Sequence, residues 1–166
     1  ICMKENRKIF NRFEWNKIIA KSPEELKEKF PVKNLIGKKI KALNAIGLFH
    51  DFGMESNIIR ENTHSIIHNE PFVFVFEDDS TFELQLMWEK EYYFSENQIS
   101  KDITDGINHC EIDANIFFEK IIGSKITDIK LDKNITFFTD SEFSLKIEFY
   151  DTNHSMISLM KNNHYS

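Results

Sequence analysis

Cysteine is nearly missing from this chain. Cys2 and Cys110 are the only two in 166 residues, too few for a disulfide framework. Glycine is sparse too, and its five copies are scattered, so no glycine-rich phosphate loop exists. No apolar run approaches the roughly 20 residues that cross a bilayer. The charged amino end lacks the apolar stretch and small residues of a secretion signal. Together these absences predict a cytoplasmic protein.

What is present argues for a packed core. The hydrophobic fraction is 41%, with 16 Phe, well above what a disordered chain carries. Net charge is −6, unevenly spread. Residues 1–41 hold 12 Lys/Arg against 5 Asp/Glu (+7), and residues 42–166 hold 9 against 22 (−13). An acidic body disfavours nucleic acid, whose phosphates require Lys and Arg, and favours a basic partner drawn in by long-range attraction. Excess carboxylates that serve solubility alone are the alternative.

The sequence repeats itself. "LIGKKI" (35–40) returns as "IIGSKI" (121–126), and "DDSTFELQL" from Asp78 returns as "TDSEFSLKI" from Thr139. Asp79 and Asp140 then fall at matching turn positions, where Asp is favoured for local hydrogen bonding. Ile40 to Asp79 spans 39 positions and Ile126 to Asp140 spans 14. About 25 extra residues therefore lie in the first copy, within 47–70, an insertion available for function or capping.

The periodicity predicts an α+β fold, with two related antiparallel β units, amino-terminal helices and one connecting helix. A helical arm covers 1–34, β unit one 35–95, a linker and helix 96–122, and β unit two 123–161, within a single domain 1–166. In the arm, Ile9, Phe10, Phe13 and Ile18 form one helical stripe, with Trp15 off it. Ser22, Pro23 and Glu25 read as N-cap, first helical residue and capping-box partner. "PFVFVFE" suits a strand covered on both faces. Phe82, Leu84, Leu86 and Trp88 alternate with Thr81, Glu83, Gln85 and Met87, predicting one buried and one polar face. "DANIFFEKIIG" reads as a helix capped by Asp113 and closed by Gly123.

"GINHCEIDANIFFEKIIGSKI" (106–126) resembles a family of small bacterial proteins that share Gly-Ile-Asn, Asp-Ala-Asn, an aromatic, and Ile-Gly-x-Lys-Ile. "LIGKKI" and "PFVFVFEDDSTFEL" look like the amino-terminal half of the same pattern, and together these cover about half the chain. The amino-terminal arm lies outside that pattern. In type, such small acidic proteins resemble immunity partners of polymorphic or contact-dependent toxins. The resemblance carries no catalytic or binding residue across.

Several residue groups are candidates for chemistry. His64 and His68 have the i, i+4 spacing of metal ligands on a helix face, but no H-E-x-x-H pattern exists, and His50 or Glu70 would have to supply a third ligand. His109 and Cys110 are adjacent, which on an extended chain turns them apart and suits a small buried Cys better than a nucleophile. Glu111 and Asp113 follow them. Phe10, Phe13 and Trp15 amid basic residues could stack on RNA, although helical packing explains them more simply. The remaining candidate is a surface of aromatics ringed by acid, suited to binding a basic protein. It comprises Glu77, Asp78, Asp79, Glu83, Trp88, Glu89, Glu91, Tyr92, Tyr93, Glu96, Asp102 and Asp105; the alternative is that the aromatics fill a seam between sheets.

The expected function is a non-enzymatic immunity protein that occludes the active cleft of a cognate toxin, a basic nuclease being one such target. No cofactor, metal, nucleic acid or membrane is expected to take part. The alternatives are a small metal-dependent hydrolase using His50, His64 and His68, or an adaptor domain unrelated to toxins.

Overall fold

A computed structural model describes residues 15–45, 57–60, 63–68, 71–98 and 119–162. The described residues are mostly β. Among the described residues there are eleven strands: β1 (Ile18–Ala20), β2 (Ile40–Ala45), β3 (Asn57–Arg60), β4 (Thr63–His68), β5 (Phe72–Phe76), β6 (Thr81–Met87), β7 (Glu91–Glu96), β8 (Ile126–Leu131), β9 (Ile135–Thr139), β10 (Phe143–Phe149) and β11 (Ser155–Lys161). Two short helices accompany them, α1 (Pro23–Lys29) and α2 (Val32–Leu35). The strands form two antiparallel sheets, ordered β1-β7-β6-β5-β2 and β3-β4-β11-β10-β9-β8.

This overturns the expected α+β class. Residues 1–14 of the anticipated helical arm lie outside the described residues, and Ile18 and Ile19 belong to strand β1 instead of a helix. Pairing with the edge of β7 (Ile18 with Phe94, Ala20 with Tyr92) overrides the helical pattern, in keeping with the strand preference of β-branched residues. Most of the expected connecting helix is also outside the described residues, and 119–123 form a turn. Of the expected helices, only α1 follows the sequence closely. The Ser22 hydroxyl accepts the Glu25 N–H at 3.1 Å, while the Glu25 carboxylate accepts the Lys21 N–H at 3.1 Å. The first bond satisfies an orphan amide of the helix's first turn, and the second ties down the chain just before the cap.

The two repeated glycine phrases meet. Gly37 N–H donates to the Ile126 carbonyl (2.8 Å) and Gly123 N–H to the Ile40 carbonyl (2.7 Å). Ile40 N–H donates to Ser124, and Ile126 N–H to Lys38, both at 2.9 Å. Lys39 and Lys125 form the antiparallel bridge at the centre. Each bond has its counterpart 86 positions away, so this junction has local two-fold symmetry. Both glycines hold positive φ, 91° and 87°, which an L side chain resists.

From the junction each half runs as a four-strand meander, β2-β5-β6-β7 and β8-β9-β10-β11. Ile40 pairs with Phe76 and, after a bulge, Ala42 with Val75; Ile126 pairs with Thr139 and, after a bulge, Asp128 with Phe138. Phe74 then faces Phe82, and Phe137 faces Leu145. Spatial equivalence is therefore 63 positions in the hairpins, two more than the sequence phrases suggest. Asp140 corresponds to Glu77, and both donate their amides to the bridging lysines' carbonyls at 3.0 Å. Asp79 is thus not the counterpart of Asp140. The side chains keep their parity because a shift of two preserves the face.

Part of the inserted stretch, β3 and β4, belongs to the first copy in sequence but joins the second sheet. β4 pairs with β11, from Ser155–His68 to Met160–Thr63. The sheets share one apolar core. Phe74 and Phe137 meet across it at 4.8 Å between ring centroids, and Phe30, just after α1, packs on Phe82, Phe94 and Phe137.

Candidate functional site

The sequence-derived acidic–aromatic surface divides into four groups. Asp102 and Asp105 lie outside the described residues. Glu83 and Tyr92 are buried, at 0% and 1% exposure, so neither belongs to a docking surface. Glu83 sits on the outward face of β6, but that face is covered as well: Thr81, Gln85 and Ser95 are also buried there. Its carboxylate accepts the Ser95 hydroxyl at 3.0 Å and the Gln98 N–H at 2.7 Å. The Trp15 indole in turn donates to Ser95 at 2.6 Å. The expected polar face of β6 is therefore an internal layer. Tyr92 alternates with Phe94 toward the core, and its hydroxyl donates to the Lys133 carbonyl at 2.7 Å. Burial, then the nearby Asp132 and Glu24 charges, push its phenol up to about 12.

Glu77, Asp78 and Asp79 are exposed at the β5–β6 turn, with lysines of the same chain already close. Lys38 lies 3.4 Å from Asp78, and Lys41 lies 3.4 Å from Asp79. The Ser80 hydroxyl and amide bonds, with Lys38 adding to them, hold the Asp78 carboxyl below its ordinary range. Glu96 stands at the same end, where β7 pairs with the start of β6, and accepts from the Asn34 amide at 3.3 Å.

Trp88, Glu89, Glu91 and Tyr93 occupy the other end of β6, at its tight turn into β7. Met87 faces Glu91, leaving Trp88, Glu89 and Lys90 as the loop. Trp88 and Glu89 both have left-handed backbones, φ 60° and 62°. Turns with successive positive φ favour Asn-Gly, and a bulky residue there is strained. Trp88 is nevertheless 49% exposed. Its indole N–H donates to the Tyr93 hydroxyl (3.1 Å), which donates to Glu91 (2.8 Å). Burial, followed by the bond to Glu91, raises the Tyr93 phenol. The Trp15 ring meets Tyr93 edge-on at 6.5 Å, and the Lys17 ammonium lies 5.1 Å from the Tyr93 centroid.

The second sheet fixes this turn. Trp88 N–H donates to the Thr152 carbonyl at 2.8 Å. Asp151 and His154 close the 151–154 turn through a 2.7 Å contact. Ser155 follows, but its buried hydroxyl is committed to Leu86, accepting its N–H and donating to its carbonyl. Asp151, His154 and Ser155 thus brace the tip and form no nucleophilic triad. Lys17 and Thr152 escaped the sequence reading, and Trp15 was read only as lying off a helical stripe or as a base-stacking candidate, because no linear pattern ties these residues to so distant a turn.

His64 and His68 lie on strand β4. Four residues along a strand span about 13 Å, so the argument for one helical face falls away. His50, Glu70, His109, Cys110, Glu111 and Asp113 are outside the described residues. Among the described residues, no group of three or more His, Cys, Asp or Glu is placed to hold a metal ion, and no helix is long and apolar enough to cross a membrane. Comparison with protein-family models, curated proteins and solved structures yields no match.

Proposed function

We propose that this two-sheet β protein is a non-enzymatic binding protein, an immunity protein that neutralises a cognate toxin domain by covering its active cleft. The observation that carries the reading is the β6–β7 tip: an exposed Trp held in a strained left-handed turn, braced by Tyr93 and by the second sheet. Strain retained at an exposed aromatic points to selection for something other than folding. Rigid aromatic anchors dominate protein–protein interfaces because they bury much area with little entropy left to lose. Glu89 and Glu91 flank the anchor, and the net charge of −13 over residues 42–166 steers a basic partner toward the body.

The test is titration of the purified protein with the carboxy-terminal domain encoded immediately upstream of its gene. Tight binding, slower association at high salt and loss of the partner's toxicity are expected. Trp88→Ala is expected to weaken binding by at least 2 kcal/mol, about thirtyfold. Absence of micromolar binding, or a harmless partner, overturns the reading for that pair.

A further inference from the structure

The outward face of β8–β11 contains a depression of about 340 Å³. Lys130, Lys146 and Lys161 line it, with Phe138 and Met160 as apolar lining and neutral polar side chains such as Thr136 between them. Residues 42–166 hold only nine Lys/Arg, so a third of that stretch's positive charge gathers at one place. Among the described residues, Asp132 is the sole acid in the lining. Lys130 reaches it at 3.7 Å, and Lys146 reaches Glu148 at 3.8 Å. Both are partly exposed pairs that a competing anion displaces at little cost.

The internal symmetry suggests what such a face accommodates. At 63 positions' separation, Lys146 corresponds to Glu83 and Ser144 to Thr81. On the first sheet that face is buried, and the chain's own backbone lies on it, with Gln98 N–H donating to Glu83. On the second sheet Ser144 is buried as Thr81 is, but Lys146, in the place of Glu83, carries a cation and remains half-exposed.

We infer that this lysine-lined face of β8–β11 docks an extended acidic segment of a partner protein, whose carboxylates meet Lys130, Lys146 and Lys161 while an apolar side chain rests on Phe138 and Met160. A peptide matches the mixed polar and apolar lining. A nucleic acid backbone carries a charge at every phosphate and would meet the acidic remainder along its length, whereas a short peptide needs only a few spaced carboxylates opposite the three lysines. The depression runs from Asp132 and Asn134 in the β8–β9 turn, at the same end as the turn that holds Trp88, to Lys161 at the opposite end of β11; among the described residues its lining includes neither Trp88 nor Thr152.

The experiment is an NMR titration of the full chain with a short synthetic peptide of Glu residues interrupted by Val, run beside a single-stranded oligonucleotide. Expected are amide shifts confined to the lining residues, weakening with salt, and a dissociation constant raised about tenfold by Lys146→Glu. Lys161→Glu, at an exposed strand end, is expected to weaken binding without altering the fold, and Trp88→Ala to leave it unchanged. No peptide binding, shifts elsewhere, or indifference to both lysine reversals overturns the inference. Tighter oligonucleotide binding at the same amides overturns it in favour of a nucleic acid site. None of these outcomes bears on the Trp88 tip.

Discussion

Tyr92 and Lys133 tie the two sheets together: the buried phenol of β7 donates to a backbone carbonyl in the β8–β9 turn at 2.7 Å. Tyr92→Phe is expected to cost about 1–2 kcal/mol, since it leaves a carbonyl without its donor. Chemical denaturation measures this. Because folding raises the phenol's pKa from 10.0 to about 12, its contribution is complete below pH 10 and fades as pH rises toward 12. Ultraviolet titration should show one tyrosine ionising well after the ordinary range, absent in the variant.

Gly37 and Gly123 have open space where a Cβ would stand, so conformation alone decides the cost of substitution. Gly37→Ala and Gly123→Ala are each expected to lose about 1–2 kcal/mol. Gly37→Asn should lose less, because Asn tolerates the left-handed region. Thermal melts should fall by about 2–4 °C per kcal/mol. Equal stability of the alanine and asparagine variants would contradict this account.

Phe137 contacts Phe30, Phe74 and Phe82 where the sheets meet. Phe137→Ala is expected to cost about 3–5 kcal/mol, and Phe137→Leu distinctly less. Exposed Tyr150→Ala serves as the control and should change stability by less than about 0.5 kcal/mol.

Glu83→Ala removes the acceptor for two donors, the Ser95 hydroxyl and the Gln98 amide. A loss of about 1–3 kcal/mol is expected, with increased hydrogen exchange at Gln98. Glu89→Ala, on the exposed tip, should leave stability unchanged and slow association with a basic partner instead. The contrast separates buried from surface carboxylates that look alike in sequence.

On the acid side, Glu25, Asp78 and Asp151 share one direction. The Lys21 amide bond lowers Glu25, and the Ser80 hydroxyl lowers Asp78. For Asp151 burial opposes ionisation, but the His154 contact and Asn153 amide outweigh it. With folded values below the ordinary 3.8–4.5, their stabilisation is present above that range and lost as pH falls through the folded values. Asp78→Asn should flatten the acid limb of a stability–pH curve slightly, since the group is largely exposed.

Local rules carried the sequence reading a good distance. Period-two alternation located β6, the unbroken FVFVF run located β5 with both faces covered, and Ser22-Pro23-Glu25 located α1. What escaped depends on partners far away in sequence. The β1 pattern fits a helix equally well until β7 offers its edge. The matching Asp-Ser letters displaced the repeat by one pleat, because like residues can occupy neighbouring positions without being equivalent in space. At the candidate site, Trp88 and its flanking acids were legible as an aromatic among carboxylates. The burial of Glu83 was not, since alternation names the face of a sheet but says nothing of a second layer upon it. Tyr92 was recoverable: it shares parity with Phe94.

The hairpin of β3 and β4 arises from one half of the chain and completes the sheet of the other. A nick between Gln98 and Glu119 would leave one fragment with a strand edge seeking β11 and the other with β11 seeking that edge. Each piece alone would expose a strand edge that the other covers in the intact chain. The molecule is thus suited to reassembly from two separately expressed fragments, and hairpin exchange between neighbouring copies gives it a built-in route to entangled dimers at high concentration.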